Sequence, residues 1–342
     1  MSPILSIIIP VFNSERYLKD TLLSITTQRL FKECEIVLIN DGSTDKSWSI
    51  IKDFSARYSN IISLNRENKG VSATRNEAIV LSKGIYITFM DSDDLIHPDY
   101  LLYNLRYLKN NECDILAWSY SSFYSRPKFF KTQNNTDTIL KDIYNDDVVK
   151  TFNYLMNKGV AVSPCTKAIK KSLLLDIQFN TNATYGEDLF FSWKCILSAK
   201  HILYLDIPLY YYRQTITSAT SRFHKNLYEV YRASFRDLIE FADSKGVFSN
   251  ELSKDIDYHF ARRIPALTAM EARAPYGRET QEQHLTMVLN DEYICRALEC
   301  DDRLTGKIYN LARQKKVKKM LAMARRDALK AKLLFPLKKL LK

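Results

Sequence analysis

Four short apolar runs, each followed by a stretch with a different period, constrain this chain more than any other feature. Leu5 to Val11, Glu35 to Asn40, Ile61 to Asn65 and Gly84 to Met90 are largely continuous in apolar, mostly β-branched residues rather than strictly alternating. Continuity of that kind suits strands buried on both faces of a parallel sheet. Between the runs, Leu18, Leu22 and Ile25, and then Trp48, Ile51 and Phe54, recur at helical spacing, and Val71 to Ser82 reads as a further helix. The order βαβαβαβ implies right-handed crossovers and an α/β fold with a doubly wound, mostly parallel sheet. The turns at Asn13, Asp41, Asn68 and Asp91 then gather on one edge, where open sheets of this type bind ligands.

The fourth run delivers three carboxylates in four residues, Asp91-Ser92-Asp93-Asp94. Clustered carboxylates repel one another, and all-oxygen donors favour a hard cation such as Mg²⁺ or Mn²⁺. A metal held by one or two carboxylates keeps positions open for a diphosphate. Asp94 also stands where it could cap a helix over Leu95 to Leu108, with Pro98 early in it. No GxGxxG or GxxxxGK[ST] follows the first strand, so a dinucleotide fingerprint and a P-loop are both excluded.

Of the 342 residues, 46% are hydrophobic and 26% charged, ordinary values for a water-soluble globular chain. No apolar run reaches the roughly 18 residues needed to cross a bilayer, and the start, Met1-Ser2-Pro3-Ile4, lacks the basic region of a signal peptide. The six cysteines show no CxxC pair and no zinc spacing, so buried, reduced thiols of a cytoplasmic protein are expected. The net charge of +11 is uneven. Residues 303–342 hold fourteen Lys/Arg against one acid, whereas the rest carries 36 basic and 38 acidic groups. A near-neutral body argues against a nucleic-acid groove.

Beyond Asp114 the pattern loosens. Ile115 to Tyr120 reads as a strand, residues 125–150 lack a clear period, Thr151 to Lys158 and Glu187 to Ala199 read as helices, and Lys167 to Asp176 is short and amphipathic. Ile202 to Tyr212 reads as a strand broken by Pro208, and from Leu227 onward the chain reads as helical. The implied organisation is a domain over 1–220, in two halves of 1–114 and 115–220, a helical extension over 221–302, and a basic amphipathic tail over 303–342.

Five ordered pieces carry a family resemblance over roughly residues 4–220. They are Ile9-Pro10-Val11-Phe12-Asn13 with Tyr17-Leu18; Asn40-Asp41-Gly42-Ser43-Thr44-Asp45; Glu67-Asn68-Lys69-Gly70-Val71-Ser72 with Ala73-Thr74-Arg75-Asn76; Asp91-Ser92-Asp93-Asp94; and Gly186-Glu187-Asp188. Together they resemble an inverting, metal-dependent glycosyltransferase of family 2 with a GT-A-type fold. That fold is a Rossmann-like nucleotide-binding half plus an acceptor half, here followed by a helical C-terminal region.

The resemblance implies roles for individual residues. Pro10, Phe12 and Glu15 would line the nucleotide pocket. Asp41 would accept from the uracil ring N–H, with Lys69, Gly70 and Arg75 near the base and phosphates. Asp91 and Ser92 would contact the donor, Asp93 would ligate Mn²⁺ or Mg²⁺ with Asp91 beside it, and Arg213, ahead of Thr217-Ser218, would close near the phosphates. Asn40 departs from the family, which often has a second Asp there. Inversion needs a general base at the acceptor hydroxyl, and Asp188 matches its position, at a helix start whose dipole favours an ionised carboxylate. Glu187 would orient acceptor or base.

The implied activity is hexosyl-type transfer from a nucleotide-diphosphate sugar, a UDP-sugar above all, to a hydroxyl of a glycan or lipid-linked acceptor. The implied setting is bacterial lipopolysaccharide, capsule or other cell-surface polysaccharide assembly. Residues 314–342 read as a basic helix that Pro336 breaks, suited to an anionic surface. The expectation is therefore a cytoplasmic protein, peripheral on the inner face of the bacterial cytoplasmic membrane, with no nucleic-acid partner. Two other readings stay open: a sugar-nucleotide pyrophosphorylase, which would need a glycine-rich basic loop after the first strand, and a noncatalytic nucleotide-sugar binder.

Overall fold

The computed structural model describes residues 2–125, 127, 140–144, 146–183, 185–214, 224 and 226–340, with side chains in the last helix described to Lys330. The chain divides into two compact units, one of residues 1–182 and 187–215, the other of residues 183–186 and 216–342.

The first unit contains nine strands among the described residues: β1 (Leu5–Val11), β2 (Cys34–Asp41), β3 (Ile61–Arg66), β4 (Tyr86–Phe89), β5 (Leu95–Ile96), β6 (Ile115–Phe123), β7 (Leu140–Tyr144), β8 (Lys167–Lys170) and β9 (His201–Arg213). They form one sheet in the order β3-β2-β1-β4-β8-β6-β9-β5, with β7 also paired to β9. The half β3-β2-β1-β4 is parallel throughout. The helices α1 (Leu18–Thr26), α2 (Ser47–Arg57) and α3 (Val71–Leu81) connect its strands, as the hydrophobic periods predict. Leu5, Ile7, Ile8, Ile9 and Val11 are all buried, as are all residues of β2 and β4, so these continuous apolar runs correspond to strands covered on both faces, whereas β3, at the sheet edge, is buried only at Ile61. The second half is mixed: β8 is antiparallel to β4 and β6, while β6 and β9 run parallel.

Two expectations for this unit are corrected, and a third segment gains its assignment. The stretch after Asp94 begins with β5, and the helix α4 runs from Tyr100 to Asn110, so Asp94 caps nothing. Pro98 separates strand from helix, as expected of a residue that disfavours helical geometry before it. Pro208 does not break its strand: β9 is continuous from His201 to Arg213, and the pairing with β6 shifts register beside Ser119, which opposes Pro208. An irregularity there absorbs the missing N–H of proline. Lys167 to Asp176 is the strand β8 followed by a single 3₁₀ turn, Lys171–Leu174. The helices α5 (Val148–Asn157) and α6 (Glu187–Ser198) complete the unit.

The second unit is helical: α7 (Leu227–Ser244), α8 (Asn250–Ala261), α9 (Ile264–Glu271), α10 (Arg278–Leu289), α11 (Glu292–Cys300), α12 (Lys307–Arg313) and α13 (Val317–Leu340). The basic segment is not a free tail. Val317, Met320 and Leu321 are buried, and α13 packs on α9, α10 and α12. The helix also passes through Pro336 instead of ending before it; proline removes one backbone donor, and here the helix carries on past that loss. Among the described residues, no helix is long and apolar enough to cross a membrane. Cys34, Cys113, Cys165 and Cys195 are buried free thiols, whereas Cys295 is half-buried and Cys300 exposed, so burial holds for four of the six.

Candidate active site

The C-terminal ends of β1, β2, β3 and β4 meet in a knot of short polar contacts. The Asn13 N–H donates to Ser43 Oγ at 2.9 Å and the Ser14 N–H to Ser47 Oγ at 2.8 Å. Glu15 accepts from the Lys46 N–H at 3.0 Å, at the start of α2, so its carboxylate joins two loops. Ser92 Oγ lies 2.6 Å from Ser14 Oγ, tying the acidic loop to the first loop. Pro10 sits inside β1, and Phe12, just beyond it, is 52% exposed, an unusual position for a phenylalanine and one that offers a ring to a ligand.

Asp41 is buried at the end of β2. It accepts from the Lys69 and Gly70 N–H groups, each at 2.9 Å, and pairs with Arg66 at 2.9 Å. Gly42 and Gly70, with φ of +76° and +88°, permit this turn and this helix start; a Cβ on Gly42 would lie 2.7 Å from the Asn68 nitrogen. Three donors occupy most of what one carboxylate can accept. The neighbouring Asn40, buried, donates to Asn65 Oδ1 at 2.6 Å, while among the described residues nothing donates to its own Oδ1.

Arg75, on α3, is buried, and its guanidinium faces three acids. Nη1 lies 2.5 Å from Asp188 Oδ1 and 3.8 Å from Glu187, and Nη2 lies 3.1 Å from Asp91 Oδ1. The Phe179 ring lies beneath it, 5.1 Å away. Arg75 therefore joins carboxylates. Asp188, in the first turn of α6, keeps 32% of its side chain exposed. Its pKa is pushed up to about 7, foremost by burial; Arg75 pulls it down, and Glu187 and Asp91 push it up. The expected dominance of the helix dipole is corrected: desolvation and two like charges outweigh it.

Asp93 is raised to about 6, first by burial and then by the charge of Asp91. A carboxylate raised by the charge of its neighbour in this way fits a hard divalent cation, which relieves the repulsion. Among the described residues, no group of three or more His, Cys, Asp or Glu side chains could enclose a metal. Asp93 and Asp91 would therefore hold such an ion from one side. Asp94 plays a different part. It is fully buried, accepts from Tyr210 OH at 2.5 Å and from the Arg213 N–H at 2.6 Å, and is raised well above its usual range by burial and by Asp91 and Asp93. The same Tyr210 hydroxyl accepts from the Asp91 N–H at 3.1 Å. Arg213 lies between the rings of Tyr17 and Phe123 and donates through Nε to the Asp93 carbonyl at 2.6 Å. The end of β9 thus fixes the shape of the acidic loop. The expected neighbours Thr217 and Ser218 lie outside the described residues.

Comparison with known proteins identifies the family and the fold. The model of glycosyl transferase family 2 matches residues 6–177. The chain is 35% identical over 214 residues, 61% of its length and 30% of the relative's, to "Glycosyltransferase GlyA" of Streptococcus pneumoniae. It is 34% identical over 215 residues, 61% of its length and 32% of the relative's, to the poly(ribitol-phosphate) beta-glucosyltransferase of Bacillus spizizenii. The chain thus spans about a third of these two curated relatives. The solved structure of S. aureus TarS 1–349 in complex with UDP-GlcNAc superposes with a TM-score of 0.67 at 23% identity, covering 95% of this chain and 91% of that one, which establishes a GT-A-type fold. By the match of its sequence to the family model and by its fold, the chain belongs to glycosyltransferase family 2.

Proposed function

We propose that the protein is a metal-dependent, inverting glycosyltransferase that moves a sugar from a UDP-sugar to a hydroxyl of a cell-surface glycan or polyol-phosphate polymer. One observation carries this reading: Arg75 joins the acidic loop that suits a cation to a separate carboxylate, Asp188, whose pKa of about 7 suits a general base. A noncatalytic binder has no need of such a carboxylate.

Asp188 takes the proton from the acceptor hydroxyl, and that oxygen attacks the anomeric carbon from the face opposite the departing diphosphate, inverting its configuration. A Mn²⁺ or Mg²⁺ ion on Asp93 and Asp91 would neutralise charge on the leaving diphosphate. Arg75 keeps Asp188 and Asp91 in register, Glu187 sits beside it to orient base or acceptor, and the exposed Phe12 ring faces the nucleobase. UDP as the nucleotide and a teichoic-acid-type acceptor draw support from the names of the relatives and of the TarS complex. Attachment to the inner face of an anionic membrane would use the exposed basic part of α13.

The test is hydrolysis of a panel of UDP-sugars with Mn²⁺, Mg²⁺ or EDTA, together with calorimetric titration of UDP and metal. Metal-dependent UDP release from one sugar, lost in Asp93→Ala, is the expected result. No binding of UDP with either ion would refute the donor site.

A further inference from the structure

Lys167, on β8, is almost wholly buried, at 1% exposure, and takes no part in the mechanism above. Its Nζ donates to the Ser163 carbonyl oxygen and lies 3.4 Å from Ser192 Oγ. Ser163 caps the single 3₁₀ turn before β8. Ser192 lies on α6 four residues after Asp188, hence one turn further along the same face of that helix. Both partner oxygens are neutral. Burial lowers the pKa of Lys167 to about 8, and the nearby Cys195, Cys165 and Asp188 oppose that shift, so Asp188 is the carboxylate whose field favours the ammonium. A buried ammonium without a close counter-ion is costly. A side chain whose only demand was to fill space there would be apolar.

We propose that Lys167 is a positioning residue for Asp188: its ammonium fastens the first two turns of α6 to the Ser163 turn and so fixes where the Asp188 carboxylate stands. The inference rests on the reading of Asp188 as the base. Arg75 holds that carboxylate from the side of α3, and Lys167 holds the helix that carries it from the side of β8.

The test uses Lys167→Met, which keeps the length of the side chain and removes its charge. Displacing a base by about 1 Å lowers turnover ~10- to 100-fold. The expected result is such a fall in kcat for hydrolysis of the best UDP-sugar in the panel, with the calorimetric Kd for UDP and Mn²⁺ within twofold of wild type. The crystal structure of the variant should show Asp188 shifted relative to Arg75. In the Asp188→Asn background, Lys167→Met should cost nothing further, because it acts through that residue. A wild-type kcat, a loss that adds to that of Asp188→Asn, or an unmoved Asp188 would each overturn the proposal. If Lys167→Met does not fold, Ser192→Ala carries the same test with a smaller fall in kcat and the same unchanged Kd. Undiminished turnover in Asp188→Asn would instead refute the base itself, so the two failures are distinguishable.

Discussion

A single guanidinium, that of Arg75, reaches Asp188 Oδ1 with one terminal nitrogen at 2.5 Å and Asp91 Oδ1 with the other at 3.1 Å. These carboxylates come from the start of α6 and from the loop after β4, far apart in sequence. One rigid fork spans both, a geometry that a lysine cannot reproduce. Arg75→Lys should therefore keep the local charge but lose the register between the acids. Turnover should fall at least ~10-fold, with UDP binding less affected. Arg75→Ala leaves the acids facing one another and should also lower stability. The cost is about 1–2 kcal/mol, less than for a fully buried pair because Asp91 and Asp188 each keep about a third of their surface exposed. Kinetics and thermal unfolding of both variants check this; equal activity in Arg75→Lys would contradict it.

The raised pKa of Asp188 fixes the sign of a pH effect. A general base works only when deprotonated, so transfer should rise with pH through about 7 and level off above it. One unit below that value, roughly a tenth of the plateau rate should remain. The same shift has a stability consequence. A carboxyl raised above its unfolded value of 3.8 contributes fully only below that value, and the contribution is lost progressively as pH rises from there to about 7, with no further change above it. Asp93, at about 6, titrates separately, and its protonation should weaken metal binding below that pH. A kcat profile flat from pH 5.5 to 8.5 at saturating metal would contradict the assignment of Asp188.

Much of this was legible in the sequence for a physical reason. A strand buried on both faces must be apolar throughout, so β1, β2 and β4 declare themselves, and the carboxylates after β4 stand out against that background. What escaped was information held by partners distant in sequence. Whether Arg75 meets a phosphate or a carboxylate depends on α6, more than a hundred residues away. Asp94 resembled a helix cap until the hydroxyl of Tyr210 and the N–H of Arg213 were brought to it by β9. Pro208 and Pro336 both read as breaks, because proline has a strong local preference; register shifts in β6 and the continuing helix of α13 override it.

Asp41 and Asn40 illustrate the same limit and lead to a paired prediction. Asp41 already accepts two backbone N–H groups and the Arg66 guanidinium, so Asp41→Ala should loosen the 66–70 loop and destabilise the fold by about 2–3 kcal/mol. Asn40 Oδ1, at the same strand end, is enclosed and accepts from nothing among the described residues. Asn40→Ala loses only the bond to Asn65, so UDP binding should be unchanged at a cost of about 1 kcal/mol in stability. Calorimetry and thermal scans of the two variants separate the roles. A strong loss of UDP affinity in Asp41→Ala at unchanged stability would return the base-reading role to Asp41.

The basic helix α13 has two parts with different prospects. Val317, Met320 and Leu321 are buried in the helical unit, so those apolar side chains are not available to a membrane. From Arg326 to Lys330 the side chains are exposed, and the residues that follow are rich in lysine. Truncation at residue 314 should therefore unfold the helical unit, whereas truncation after Met323 should leave it folded. The shorter deletion removes seven Lys/Arg, from Arg325 to Lys342. Each such residue near an anionic surface contributes about 1 kcal/mol. Flotation with vesicles containing phosphatidylglycerol should show binding of the full chain that declines with salt and is lost in the 1–323 form, while UDP affinity is retained. Equal flotation of the two forms would remove the membrane from the account of α13 and leave its charge to some other partner.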